Sequence, residues 1–271
     1  IPSSTYKIVQ EIGSGTFSDV FLAMHLKTNS KVALKISTKN KDEKEMKLIN
    51  HEIFINKSLD HPFICKYFTD FETEHLKIIV MENIEGISAL DYVNQVQGLP
   101  YQEAINLFVQ LIIAIEYLHD EVHITHRDLK LENIMIDKYN QIRLIDFGFS
   151  SINAMMSSCC GSIPYCAPEI ISMQKYTKAA DIWSLGIILY AFLDGNLPFF
   201  HPNINTIASM ICQNEVKFTQ NITNPDIQDL IQRMLIKDPQ KRITIAEIKS
   251  HPSLAQQKLL MINYKELFDK F

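Results

Sequence analysis

Apolar residues recur at helical spacing through residues 107–118, where Leu111, Ile112, Ile113, Ala114 and Ile115 crowd one segment. Two short strand-like pieces, Ile134-Met135-Ile136 and Ile142-Arg143-Leu144-Ile145, flank a turn at Tyr139-Asn140-Gln141. Between these apolar runs lies the polar stretch Thr125-His126-Arg127-Asp128-Leu129-Lys130-Leu131-Glu132-Asn133. A rigid core therefore holds a charged loop at its edge, an arrangement that is costly unless something charged sits above it.

The same pattern predicts strands over residues 6–12, 20–24 and 32–36, with turns at Gly13-Ser14-Gly15 and Thr28-Asn29-Ser30. A charged stretch over 39–47 leads into a helix carrying Ile49, Ile53 and Leu59 and ended by His61-Pro62. Strands follow over 64–68 and 76–81. After Glu82-Asn83-Ile84-Glu85-Gly86 the pattern turns helical, over 89–96, 101–121, 177–193, 204–214, 226–235 and 245–251. A β-rich lobe over 1–81, a linker over 82–86, a helical lobe over 87–251 and a tail over 252–271 are expected. The tail spaces Leu260, Tyr264, Leu267, Phe268 and Phe271 as a helix would, docked on its own lobe.

Composition narrows the classes. At 271 residues the chain suffices for one large domain or two lobes. A hydrophobic content of 46% with 21% charged residues is that of an ordered, soluble protein. A net charge of -5 gives no basic footprint for nucleic acid and favours basic partners weakly. The five cysteines, at 65, 159, 160, 166 and 212, show no zinc spacing and read as free thiols. The most apolar segment is interrupted by Gln110 and Glu116 and falls short of the roughly 20 apolar residues a bilayer requires. With no signal-like run at Ile1-Pro2-Ser3-Ser4, the expectation is a cytoplasmic protein without membrane contact.

Two motifs carry early chemical hints. Gly13-Ser14-Gly15-Thr16-Phe17-Ser18-Asp19-Val20 lies between strands, so its backbone amides can cradle phosphate oxygens or merely turn a hairpin; both alternatives stay open on this stretch. In Val32-Ala33-Leu34-Lys35, Ala33 and Lys35 share a strand face, leaving room for a flat base while the lysine reaches its phosphates. Lys35 needs an anion, and Glu52 on the next helix is the candidate, although local sequence favours a surface role for it.

With Asp146-Phe147-Gly148 following the second strand-like piece, the chain resembles a eukaryotic protein kinase from about residue 6 to 251. The resemblance rests on the Gly-rich loop, Val-Ala-Leu-Lys at 32–35, His-Arg-Asp-Leu-Lys at 126–130 with Asn133, and Asp-Phe-Gly at 146–148. It extends to Ala-Pro-Glu at 167–169, Asp-Ile-Trp-Ser-Leu-Gly at 181–186 and Arg242. It implies an α+β, two-lobed fold, with one main helix in the β-rich lobe, that transfers the γ-phosphate of Mg-ATP to protein hydroxyls. Asp128 would orient the acceptor hydroxyl and take its proton, and Lys130 would neutralise the γ-phosphate. Asn133 and Asp146 would ligate Mg²⁺, and Lys35, held by Glu52, would grip the α- and β-phosphates. Ile12, Gly13, Ser14 and Gly15 would cover the nucleotide. The adenine would meet backbone atoms of Glu82 and Ile84 between Val20, Ala33 and Met135, with Met81 behind it.

Lys130 and Ser162 resemble Ser/Thr kinases, and Cys160-Gly161-Ser162 with Leu-Pro-Phe at 197–199 resembles the calcium/calmodulin-dependent and AMP-activated group. A binding module without transfer would have lost Lys35, Asp128, Asn133 or Asp146, and all four are present. The resemblance also implies protein substrates, an upstream kinase or autophosphorylation, and a monomeric domain. Arg127 is expected to be unpaired until Ser158 is phosphorylated, with Ser157 the competing site. Glu132 retains an acid for a basic substrate residue, whereas Ser88 replaces another. Asn56 stands where relatives stack an apolar side chain on Phe147. It is expected either to bond the Tyr67 hydroxyl or to mark a helix that rests displaced.

Overall fold

The computed structural model describes residues 5–15, 18–152 and 161–257. Ser157, Ser158, Cys159, Cys160 and the apolar tail positions from Leu260 onward lie outside the described residues.

Three strands open the chain, β1 (Tyr6–Ser14), β2 (Asp19–His25) and β3 (Ser30–Thr38), in antiparallel register with Leu22 opposite Ala33 and Val20 opposite Lys35. The helix α1 (Glu43–Lys57) starts at a capping box, in which Asp42 accepts from the Glu45 amide and Glu45 reaches back to Asp42. β4 (Tyr67–Glu72) and β5 (Leu76–Glu82) complete a five-stranded sheet in the order β1-β2-β3-β5-β4.

The expected strand over 64–68 begins three residues later, because Phe63 and Ile64 belong elsewhere. The Cys65 amide donates to Leu144 O at 2.9 Å and the Leu144 amide to Phe63 O at 2.8 Å. Phe63 and Ile64 are buried in the large-lobe core with Ile55 and Leu59. The C-terminal end of α1 is thus anchored to the large lobe, while its middle rests on a small cluster of Ile49, Ile53 and Ile79.

The crossover between lobes ends in a short strand, β6 (Gly86–Ser88), which hydrophobic patterning had not indicated. It pairs with β7 (Ile134–Asp137), which pairs with β8 (Ile142–Leu144). Glycine is required at 86, since a Cβ there would meet Ile136 O at 2.1 Å.

The large lobe comprises α2 (Ala89–Val96), α3 (Tyr101–Glu116), α4 (Pro168–Ile171), α5 (Ala179–Asp194), α6 (Ile204–Gln213), α7 (Pro225–Met234) and α8 (Ile245–Ser250). α5 is buried along nearly its whole length, with Trp183, Leu185, Ile187, Ile188 and Leu189 inside the main core. A helix apolar on every side must run through the centre of a lobe, and α3 packs beside it. The described start of the tail, Pro252–Gln257, is a 3-10 turn that buries Leu254. Among the described residues no helix is long and apolar enough to cross a membrane.

Candidate active site

The polar loop predicted at 125–133 is held from below by α5. Asp181, fully buried, accepts hydrogen bonds from the backbone amides of His126 at 2.8 Å and Arg127 at 2.9 Å and contacts His119 Nε2 at 2.8 Å. Burial opposes its negative charge, but His119 and these donors outweigh it and hold its carboxyl below the usual range. One carboxylate therefore fixes two consecutive peptide units of the loop. His126 is buried against the Phe147 ring at 5.1 Å, and burial lowers its pKa, so the imidazole stays neutral. The role of His119 was not legible beforehand; it enters through a π-helical turn, Tyr117–Glu121, that extends α3.

Above this base the Asp128 carboxylate is surrounded by donors. Its Oδ1 accepts from the Ser162 amide at 3.0 Å and the Ser162 hydroxyl at 3.2 Å. Its Oδ2 accepts from Asn133 Nδ2 at 3.2 Å and lies 2.9 Å from Lys130 Nζ, which also donates to Ser162 at 3.0 Å. The sequence placed Asp128, Lys130 and Asn133 on one loop, whereas Ser162 arrives from 29 residues or more further along the chain.

On the opposite wall Lys35 forms a short ion pair with Glu52 and lies 3.4 Å from Asp146. Burial works against the ammonium, but Glu52 and Asp146 prevail and hold its pKa above the ordinary value. At Glu52 burial dominates and raises the carboxyl despite Lys35. Glu52 is therefore a buried partner of Lys35, not a surface residue. Asp146 adopts φ 64°, an uncommon conformation for a residue with a side chain and a form of local strain that clusters at functional sites. Burial opposes its charge too, but Lys35 and the Gly148 amide hold its carboxyl low, so it is ionised at neutral pH.

These groups line one cleft of about 570 Å³ between the lobes. Ile12, Gly13, Ser14, Gly15, Val20, Ala33, Met81, Glu82, Ile84 and Met135 line it with Lys35, Glu52, Asp128, Lys130, Asn133 and Asp146. Every predicted site residue is brought there except Ser158, which lies outside the described residues. Three features fit a magnesium nucleotide. Asn133 commits its Nδ2 to Asp128, leaving its amide oxygen for a cation. Asp146 offers a second hard oxygen. Among the described residues the Ile84 amide donates to no protein group, as an adenine acceptor would require.

Two expectations are corrected. Arg127 is not waiting unpaired: it donates from Nε to Phe149 O, from Nη2 to Ser150 O at 3.2 Å, and from Nη1 to Tyr176 Oη at 3.4 Å. The carbonyls of the segment after Gly148 turn inward and reach it, which a side-chain pattern does not reveal. Asn56 does not bond Tyr67 either; its Nδ2 donates to Glu52 O at 2.9 Å within α1. Tyr67 instead donates to Asp70, which also binds Lys57 at 2.6 Å. Nor is the helix displaced, because Glu52 reaches Lys35.

The Asn56 amide therefore duplicates a bond already made by the helix backbone. Asn56→Leu is expected to stabilise the domain by about 1 kcal/mol through helix propensity and apolar burial, raising Tm by roughly 2–4 °C. A lowered Tm in a thermal melt would show that the amide is needed.

Comparison with known proteins follows the same lines. A family model for the protein kinase domain matches residues 6–254. The chain is 39% identical over 273 residues to serine/threonine-protein kinase SIK2 of Gallus gallus, covering 96% of this chain and 34% of that protein. It is 39% identical over 253 residues to the SNF1-related protein kinase catalytic subunit alpha KIN12 of Arabidopsis thaliana, covering 91% of this chain and 51% of that one. Maternal embryonic leucine zipper kinase of Xenopus tropicalis is 35% identical over 257 residues, covering 93% and 39%. The chain thus spans a third to a half of the length of these relatives.

Proposed function

Because this chain belongs to the protein kinase family, as a domain of the Ser/Thr class, we propose that it phosphorylates Ser/Thr hydroxyls of protein substrates from Mg-ATP. The observation that carries this reading is the Asp128 carboxylate bracketed by Lys130, Asn133 and Ser162. Asp128 orients the acceptor hydroxyl and takes its proton, at a site where Ser162 and Asn133 fix the direction of both oxygens. Lys130 lies beside it to meet charge developing on the transferred group. Lys35, fixed by Glu52, grips the α- and β-phosphates. Asn133 and Asp146 hold Mg²⁺, which when bound neutralises phosphate charge. The base sits between Val20, Ala33 and Met135, against Met81 and the backbone of Glu82 and Ile84, under Ile12, Gly13, Ser14 and Gly15.

The test is incubation with labelled ATP, magnesium and an arrayed peptide library. Label on Ser and Thr peptides is expected, and label confined to Tyr, or none, overturns the reading. Enrichment of a basic residue upstream of the acceptor would show Glu132 at work. The Ser88 hydroxyl, by contrast, is occupied as the cap of α2, accepting from the Asp91 amide at 3.0 Å.

Control by the activation segment belongs to the same reading. Phosphorylation of Ser158, by an upstream kinase or by the domain itself, would add an anion to the set already gathered around Arg127. Ser158→Ala is expected to abolish a phosphorylation-dependent gain in activity of tenfold or more. Activation that survives in Ser158→Ala and disappears in Ser157→Ala would move the site by one residue. We place the domain in the cytoplasm as a monomer, acting on proteins rather than nucleic acid or membrane.

A further inference from the structure

One contact crosses between the lobes without touching the nucleotide cleft. His51 on α1 places Nε2 2.7 Å from the Ser150 carbonyl oxygen, two residues beyond Gly148. A carbonyl only accepts, so His51 donates from Nε2. The same oxygen accepts from Arg127 Nη2 at 3.2 Å. Ser150 is fully buried, and the next residue is fixed by an antiparallel bridge in which the Thr125 and Ser151 amides donate to each other's carbonyls at 2.8 and 2.9 Å. The acceptor is therefore a fixed point on the catalytic-loop scaffold.

His51 immediately precedes Glu52. Successive residues on an α-helix project about 100° apart, so one reaches Lys35 in the sheet while the other reaches Ser150 in the large lobe. Asn50 with Lys77 at 2.6 Å and Lys57 with Asp70 at 2.6 Å also tie α1, but both bonds run to the sheet, as does Glu52 to Lys35. The His51 bond runs on a different bearing, to the large lobe, and so opposes roll of the helix about its sheet contacts. The apolar packing under the middle of α1 is small: Ile49, Ile53 and Ile79, with Met46, Tyr67 and Met81 partly buried around them. The anchored residues Ile55 and Leu59 lie beyond Glu52 toward its C-terminal end.

Resting on the kinase reading above, we infer that His51 is a positioning residue: by binding the Ser150 carbonyl it sets the roll of α1 that brings Glu52 onto Lys35. It thereby makes the Lys35–Glu52 pair depend on the placement of the backbone after Asp146-Phe147-Gly148. Its action runs through Glu52 and not through the nucleotide.

A double-mutant cycle on the full chain tests this. His51→Ala should lower kcat/KM for peptide phosphorylation roughly tenfold, the scale of one lost hydrogen bond. His51→Gln keeps an N–H donor at similar reach and should recover most of that loss. In a Glu52→Gln background the same His51→Ala change should cost less than twofold. A readout without nucleotide accompanies these: amide hydrogen exchange across α1 should quicken several-fold in His51→Ala, while Tm moves by no more than about 2 °C. Equal losses in both backgrounds, no loss at all, unchanged exchange in α1, or failure of Gln to rescue a folded protein would each overturn the inference. An active wild type indifferent to His51→Ala sinks this inference alone, whereas a wild type that labels no peptide removes the kinase reading with it.

Discussion

Asp128→Asn is expected to lower kcat for peptide phosphorylation by roughly 10²–10⁴-fold, the range of a lost positioned proton acceptor. The substitution keeps the shape of the side chain and removes one acceptor. Ser162 supplies two donors to one oxygen, while Asn133 and Lys130 supply two to the other. An amide nitrogen on the Lys130 side would set donor against donor, and one on the Ser162 side would do the same. No orientation of the amide satisfies all four partners, and the acceptor hydroxyl loses its base as well. Nucleotide affinity should change by less than about threefold, because the α- and β-phosphate contact assigned to Lys35 and the Mg²⁺ ligand assigned to Asp146 are untouched. Steady-state kinetics with a labelled peptide, alongside nucleotide titration, separates the two effects. Activity within tenfold of wild type would remove Asp128 from the role of base.

Glu169→Ala is expected to be the most damaging of these changes to stability, costing about 3–5 kcal/mol and lowering Tm by roughly 10 °C or more. Its two oxygens receive Arg242 Nη1 at 2.7 Å and Nη2 at 2.9 Å, with both side chains essentially without solvent contact. Arg242 also donates to Ala179 O at 2.7 Å and Ile236 O at 3.0 Å, and its guanidinium lies 5.4 Å from the Trp183 ring. Removing the carboxylate leaves a buried cation amid carbonyls and an aromatic face without its charged partner. Glu169→Gln, retaining one acceptor, should be milder. Thermal melts of the three proteins decide the matter: equal midpoints would mean that the pair contributes nothing to the fold.

The helical lobe was legible in outline because its apolar residues repeat at helical spacing over long segments. α2 begins and ends at the predicted residues, and the ends of α6 and α7 move by one residue at most. What escaped was set by distant partners. β6 is three residues long and exists because β7 lies beside it. Ile64 reads as the start of a strand, yet the large-lobe core claims it together with Phe63. In the site, the motifs and the family resemblance they carry named residues that line the cleft. It missed groups whose partners are main-chain atoms or lie far off in sequence. Arg127, His51 and Asn56 all bind carbonyls, and a carbonyl leaves no mark in the sequence. His119 could have been suspected only as a polar residue closing an otherwise apolar segment.

The lodging of Gly86 against Ile136 has a bearing on how the cleft opens. β6 locks one end of the crossover into register with β7, and β5 locks the other end through Glu82 opposite Val32. Only Asn83, Ile84 and Glu85 remain outside either sheet. The torsional freedom of the crossover is thereby confined to three residues, one of which, Ile84, carries the amide proposed to meet the base. On the proposed reading, swinging the cleft open and loosening the grip on a bound nucleotide would be one motion, so the escape of spent nucleotide would be geared to the angle between the lobes.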